Sequence, residues 1–164
     1  IRDSDFPSQD FLIVGKRTNV DWSEEHDAKH ANFSFNAHFK KGSLFRSDAQ
    51  DYFIVTKNAI DWKNIPPFVI GRPGFDNWLV DHVYHSSKVA LVDATKTILA
   101  IHQTDADENF AHGGKMVKSS DDGDYNRRIG KGQWDHGQIS YAGYKTDRID
   151  GRIVLNNVNA NKFI

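Results

Sequence analysis

Residues 65–103 read IPPFVIGRPGFDNWLVDHVYHSSKVALVDATKTILAIHQ, and the order of signals in them sets the fold class. Pro66-Pro67 holds the backbone extended and forbids a helix at this point. Phe68-Val69-Ile70 runs into Gly71-Arg72-Pro73-Gly74, a turn whose glycines admit tight or positive-φ geometry. Asp76 then stands at the start of a predicted helix, where a carboxylate accepts backbone N–H groups and faces the positive end of the dipole. Leu79, Val80, Val83 and Tyr84 form its apolar stripe at i, i+3 and i+4 spacing, and the helix is expected to end near Ser86-Ser87. Val89–Val92 and Ile98–Ile101 read as short apolar strands separated by Asp93-Ala94-Thr95-Lys96. With so few residues between them, they are expected to pair as a hairpin or to sit at the margin of the sheet.

Upstream, Phe11-Leu12-Ile13-Val14 is a continuous apolar run of strand length, ended by Gly15. A run apolar on both faces suits a strand covered from both sides. Tyr52–Val55 is a second run of this type, while Lys16–Asp21 and Ser47–Asp51 are polar. Downstream, 104–124 is acidic with a Gly113-Gly114 pair and reads as a long loop, and 125–149 has scattered aromatics and room for a short helix. Ile153-Val154-Leu155 is a further strand candidate. The expected architecture is α/β: four buried-type strands, one helix after a glycine-rich turn, and a loop-rich C-terminal third. Residues 1–164 form one domain, with 10–103 as its best-supported core and 104–164 as an extension.

Composition narrows the function classes. The 21 basic and 22 acidic residues nearly cancel, which removes the bulk electrostatic case for nucleic acid or anionic membrane as main partner. No apolar run approaches the roughly 20 residues of a spanning helix. The chain has no cysteine, so disulfides and thiolate metal sites are excluded. Asn32-Phe33-Ser34 spells a glycosylation sequon, compatible with secretion, but does not determine the compartment. The first residue is Ile1, so a processed product or a fragment is expected.

Several residues have both a chemical and a plain structural reading. His26 and His30 stand i, i+4, with His38 beyond, and would share one helical face able to bind a metal, or decorate a surface helix. Asp76 is either a helix cap or a general base taking a proton from a hydroxyl. Arg72 offers a planar fork to a phosphate or a salt bridge within its turn. Asn77 and Trp78 offer a hydrogen-bonding amide and a stacking face to a sugar, or internal packing. His102, at the end of the last strand, is a candidate metal ligand or a hydrogen-bonded strand-end histidine. Asp105, Asp107 and Glu108 could add ligands or simply be solvated. Asp93 reads as support for the turn into Thr95.

The ordered set Asp51-Tyr52-Phe53, Ile65-Pro66-Pro67-Phe68, Ile70-Gly71-Arg72-Pro73-Gly74-Phe75-Asp76-Asn77-Trp78, Val92-Asp93-Ala94-Thr95 and Ile101-His102-Gln103 resembles the second half of a poorly characterised glycosyltransferase-like branch of the nucleotide-diphospho-sugar transferases. Phe11–Arg17 is similar to that branch's strand followed by Gly-(Arg/Lys)-Arg, and the resemblance covers about Asp10 to Gln103. It implies a partial GT-A-like fold, a mixed sheet flanked by helices with ligand at the carboxyl ends of its strands. It implies a nucleotide-sugar donor, a carbohydrate or glycoconjugate acceptor, and a divalent manganese or magnesium ion on oxygen-rich ligands. By position it makes Asp76 the catalytic base and His102 a metal ligand, with Arg72, Asn77 and Trp78 on the substrate. Asp3-Ser4-Asp5 spells the family's Asp-x-Asp metal motif, but no apolar strand leads into it. The nucleotide-binding half that precedes these motifs in the family has no counterpart here, so a missing N-terminal half or partner chain is expected. The competing expectation is a non-catalytic secreted or structural protein, binding carbohydrate or metal on a truncated version of the same scaffold.

Overall fold

The computed structural model describes residues 10–21, 42–104, 121–131 and 136–158. Asp3, Asp5, the sequon, His26, His30, His38, the acids at 105–108 and the Gly113-Gly114 pair all lie outside the described residues. The chain is α/β. In order it runs β1 (Asp10–Val14), β2 (Arg17–Asp21), β3 (Ser43–Leu44), β4 (Ile54–Val55), α1 (Phe75–Tyr84), β5 (Val89–Asp93), β6 (Ala100–Thr104), α2 (Asp121–Ile129), a 3-10 turn at Ile139–Tyr141, β7 (Tyr144–Ile149) and β8 (Arg152–Asn157). A five-stranded sheet has the order β4-β1-β5-β7-β8, and a three-stranded sheet has the order β3-β2-β6.

The two sheets are joined by two segments, β1–β2 and β5–β6, each of which passes once from one sheet to the other. β1 lies parallel to β5 with Leu12 opposite Leu91, and β2 lies parallel to β6 with Asn19 opposite His102. On one chain the change takes only Gly15 and Lys16, while on the other it takes residues 94–99. Gly15 is required at this bend because a Cβ there would stand 2.0 Å from the Tyr52 hydroxyl and 3.0 Å from the Thr95 amide. Val89–Asp93 and Ala100–Thr104 therefore do not form a hairpin. Each has a parallel partner in a different sheet, because residues 94–99 turn the chain aside between them. Asp93 supports that turn, its Oδ1 accepting from the Thr95 amide at 2.9 Å and the Thr95 hydroxyl at 2.5 Å.

The core covers both faces of the larger sheet. Leu12, Val14 and Leu91 meet Leu79, Val80 and Val83 of α1, with Ile60, Ile139 and Ala142 filling the same layer. Ile13, Ala90, Val92 and Ala94 pack on the opposite face, which is why β1 and β5 are apolar throughout. Each large aliphatic side chain here contributes about 1.5–3 kcal/mol by burial. Tyr84 departs from the expected stripe: it is 51% exposed, and buried Asp81 takes its place. Tyr52–Val55 also departs from the fully buried strand expected, since only Ile54–Val55 pair, antiparallel at the edge of the sheet, and Ile54 is 46% exposed.

The turn before α1 has the geometry its glycines admit, with φ of 78° at Gly71 and 107° at Gly74. Gly74, in the left-handed region, is the helix cap, so Asp76 is not the cap but the second helical residue. The turn is held by Asn126 of α2, which is fully buried. Its Nδ2 donates to the carbonyls of Val69 at 3.0 Å and Pro73 at 3.2 Å, and its Oδ1 accepts from the Val69 amide at 2.9 Å. Asn126→Ala strands these backbone groups and is expected to lower stability by about 2–4 kcal/mol, read from the urea midpoint.

Candidate functional site

α1 begins at the carboxyl end of β1 and β5. Asn77 in its first turn donates to the Asp48 carbonyl, and nearby Gln50 bridges Lys16 just past the end of β1. In an open parallel sheet this is the end at which ligands bind. The segment Gln50-Asp51-Tyr52 crosses here, and it brings Asp51 to both strands of the β2–β6 pair.

Asp51 links two strands. Its Oδ1 accepts from Arg17 Nη1 at 3.0 Å, and its Oδ2 pairs with His102 Nδ1 at 2.7 Å. Arg17 is further held by Asn19 Oδ1 at 3.1 Å and by the Phe45 ring, whose centroid is 4.4 Å from the guanidinium carbon. These positions follow from strand alternation, since Arg17 and Asn19 share one face of β2 and Asn19 stands opposite His102 in β6. A carboxylate can only accept, so His102 Nδ1 donates in this pair, and in the neutral ring Nε2 carries the lone pair. Nε2 is buried and has no hydrogen-bond partner. The Gln50 Oε1 and Tyr52 hydroxyl oxygens are likewise buried and unpaired, so all three such atoms among the described residues belong to this crossing segment or to the histidine paired with it. Burial, and then the nearby charge of Asp93, push the Tyr52 hydroxyl well above its ordinary pKa.

Asp76 lies in the first turn of α1, near enough to Asp51 to feel its charge. Burial is the main cause that raises its pKa above the usual aspartate value, and the charge of Asp51 adds to the rise. Backbone N–H groups of Asn77, Asp76 and Gly74 offset part of it. A folded-state pKa above the unfolded one gives a stability contribution that is present below the unfolded value and lost as pH rises through the folded value. Wild type is therefore expected to lose stability relative to Asp76→Asn as pH rises from the ordinary aspartate range through the raised one. Urea unfolding of both proteins over that window checks this, and a constant difference between them refutes it.

The other residues singled out from the sequence are engaged by the chain itself. Asn77 Nδ2 donates at 2.8 Å to both the Asp48 and Gly137 carbonyls, joining α1 to two loops. Trp78 stacks on His82 with centroids 4.8 Å apart and packs on Phe68. Arg72 pairs with Asp122 at 3.2 Å on the surface. Asp51 pairs with His102 and its charge reaches Asp76, whereas Arg72, Asn77 and Trp78 take no part in these interactions. Asp51 is the residue that sequence reasoning passed over as a site member. Its only signal was its place at the head of the Asp51-Tyr52-Phe53 motif.

His102 Nε2 is an atom at this corner of a kind able to donate to a divalent metal. The Asp51 carboxylate on the other ring nitrogen orients the imidazole, as is usual for a ligating histidine. Among the described residues no group of three or more histidines and acids is placed to hold an ion. Among them, too, no helix is long and apolar enough to cross a membrane. No family model, curated protein or solved structure matches the chain.

Proposed function

We propose that this chain carries the acceptor and metal half of a sugar transferase that uses a nucleotide-sugar donor. The observation that supports it is the pairing of Asp51 with His102, with Asp76 close enough in the first turn of α1 for the charge of Asp51 to act on it. Asp76 acts as general base, and its raised pKa makes it a stronger acceptor for the proton of a sugar hydroxyl than an exposed aspartate. His102 Nε2 is the atom that would hold manganese or magnesium, and Asp51 keeps the imidazole in the required tautomer. When bound, the ion neutralises charge on the departing nucleoside diphosphate. The scaffold is read as GT-A-like on the motifs of residues 10–103.

Calorimetry with a nucleoside diphosphate and manganese tests this reading. Manganese-dependent binding in the micromolar range is expected, and Asp51→Asn should weaken the metal about 10–100-fold by releasing His102. Absence of heat with and without manganese sinks it. One observation favours the second reading, a non-catalytic secreted or structural protein that binds carbohydrate or metal: Arg72, Asn77 and Trp78, which a transferase of this kind would need for its substrate, are all held within the chain. That reading is left standing if the nucleotide gives no heat.

A further inference from the structure

The two sheets diverge at Gly15, and a cavity of about 230 Å³ opens in the fork between them. It is lined by Lys16 at the bend, Leu44 of β3, Asp93, Thr95 and Lys96 of the β5–β6 turn, and Lys145 and Thr146 of β7. None of these residues belongs to the Asp76–Asp51–His102 corner. Arg17, next in the chain to Lys16, turns away to Asp51.

The lining includes three lysines and one aspartate. The carboxylate, Asp93, has an oxygen committed to the Thr95 amide and hydroxyl. The Thr95 hydroxyl in turn accepts the Lys16 amide at 2.9 Å, and the Thr146 and Thr97 hydroxyls bond each other at 2.5 Å. Lys96 is paired with Asp147 at 2.7 Å, while among the described residues Lys16 and Lys145 have no acidic partner. Three segments distant in sequence thus bring lysines to one small concavity, and two of these lysines have no salt-bridge partner among the described residues.

We propose that this fork binds a compact phosphate-bearing small molecule through Lys16 and Lys145, with Lys96 at its rim. The volume is below the roughly 300–1,000 Å³ of pockets for drug-sized ligands, so it takes a phosphate head with little else. Lysines act as separate point charges rather than as a planar fork, which suits an anion with several outward oxygens. A phosphate group presents three acceptor oxygens and about −1.5 to −2 charge, enough to satisfy separate ammonium groups at once. A carboxylate presents two oxygens and a single charge. The threonine hydroxyls are already committed, so recognition falls to the lysines.

The test is a titration of the full chain with inorganic phosphate, and in parallel with acetate, followed by backbone amide NMR. Saturable shifts at Thr95, Lys96, Lys145 and Thr146 are expected with phosphate, weakening as salt is raised. Lys16→Gln with Lys145→Gln should reduce phosphate affinity at least about tenfold, while Lys57→Gln with Lys63→Gln leaves it unchanged. Melting temperatures of both double variants establish that they are folded. Equal affinity for acetate, shifts spread over unrelated lysines, or unchanged affinity in the Lys16/Lys145 variant would overturn the proposal. Because the cavity and the Asp76 corner share no residue, loss of phosphate binding here leaves manganese-dependent nucleotide binding intact.

Discussion

Asp76→Asn is expected to lower sugar transfer by about 10²–10⁴-fold, the usual worth of a positioned general base. The amide keeps the shape of the carboxyl but cannot take a proton, so binding of the acceptor should change far less than turnover. The same substitution removes a charge that burial and Asp51 both disfavour, so it should not cost stability at neutral pH. Loss of activity without loss of stability separates a base from a structural acid in the first turn of α1. The pH profile adds a second readout. Transfer by the wild type should fall as acid protonates Asp76, with that limb lying above the ordinary aspartate range, and the variant should lack it. Unchanged turnover in Asp76→Asn would remove the residue from the mechanism.

Gly137→Ala is expected to be among the most damaging single substitutions to the fold. A Cβ at this position would lie 1.9 Å from the Asn77 carbonyl oxygen and 2.7 Å from the Asp81 amide nitrogen, both backbone atoms of α1. Neither can rotate aside as a side chain would, so the helix or the 137 segment must move. Such a shift also breaks the bond from Asn77 Nδ2 to the Gly137 carbonyl. A loss of about 3 kcal/mol or more is expected in urea unfolding. It should carry any activity with it, because α1 positions Asp76. A stability within about 0.5 kcal/mol of wild type would mean that the 137 segment does not pack against the helix as described.

Elements whose burial is written locally were legible. β1, β5 and α1 bury apolar residues at consecutive or helical spacing, and each stands close to where the pattern places it. β2 and β7 were not legible, because Arg17–Asp21 and Tyr144–Ile149 mix charged and apolar residues. Their pairing comes from neighbours distant in the chain, β6 for one and β5 and β8 for the other. α2 falls partly in what reads as an acidic loop; it carries Gly123 and little apolar surface, and its buried Asn126 is bonded across to Val69 and Pro73. The site divides in the same way. Asp76 and His102 stand out in sequence because each sits at the end of a recognisable element. Asp51, which pairs with His102 and whose charge reaches Asp76, follows a polar stretch and has no periodic signal.

By itself, then, the sequence determined the α/β class, the apolar strands and the glycine-turned entry to α1, because these depend on neighbours within a few residues. Only the tertiary structure decided that the β1–β2 and β5–β6 chains run together through two sheets. It alone decided that Asp51 holds His102 and that three lysine- and threonine-bearing segments meet in one fork. Those contacts join residues tens of positions apart, and no local spacing encodes which of many polar side chains will meet once the core has closed.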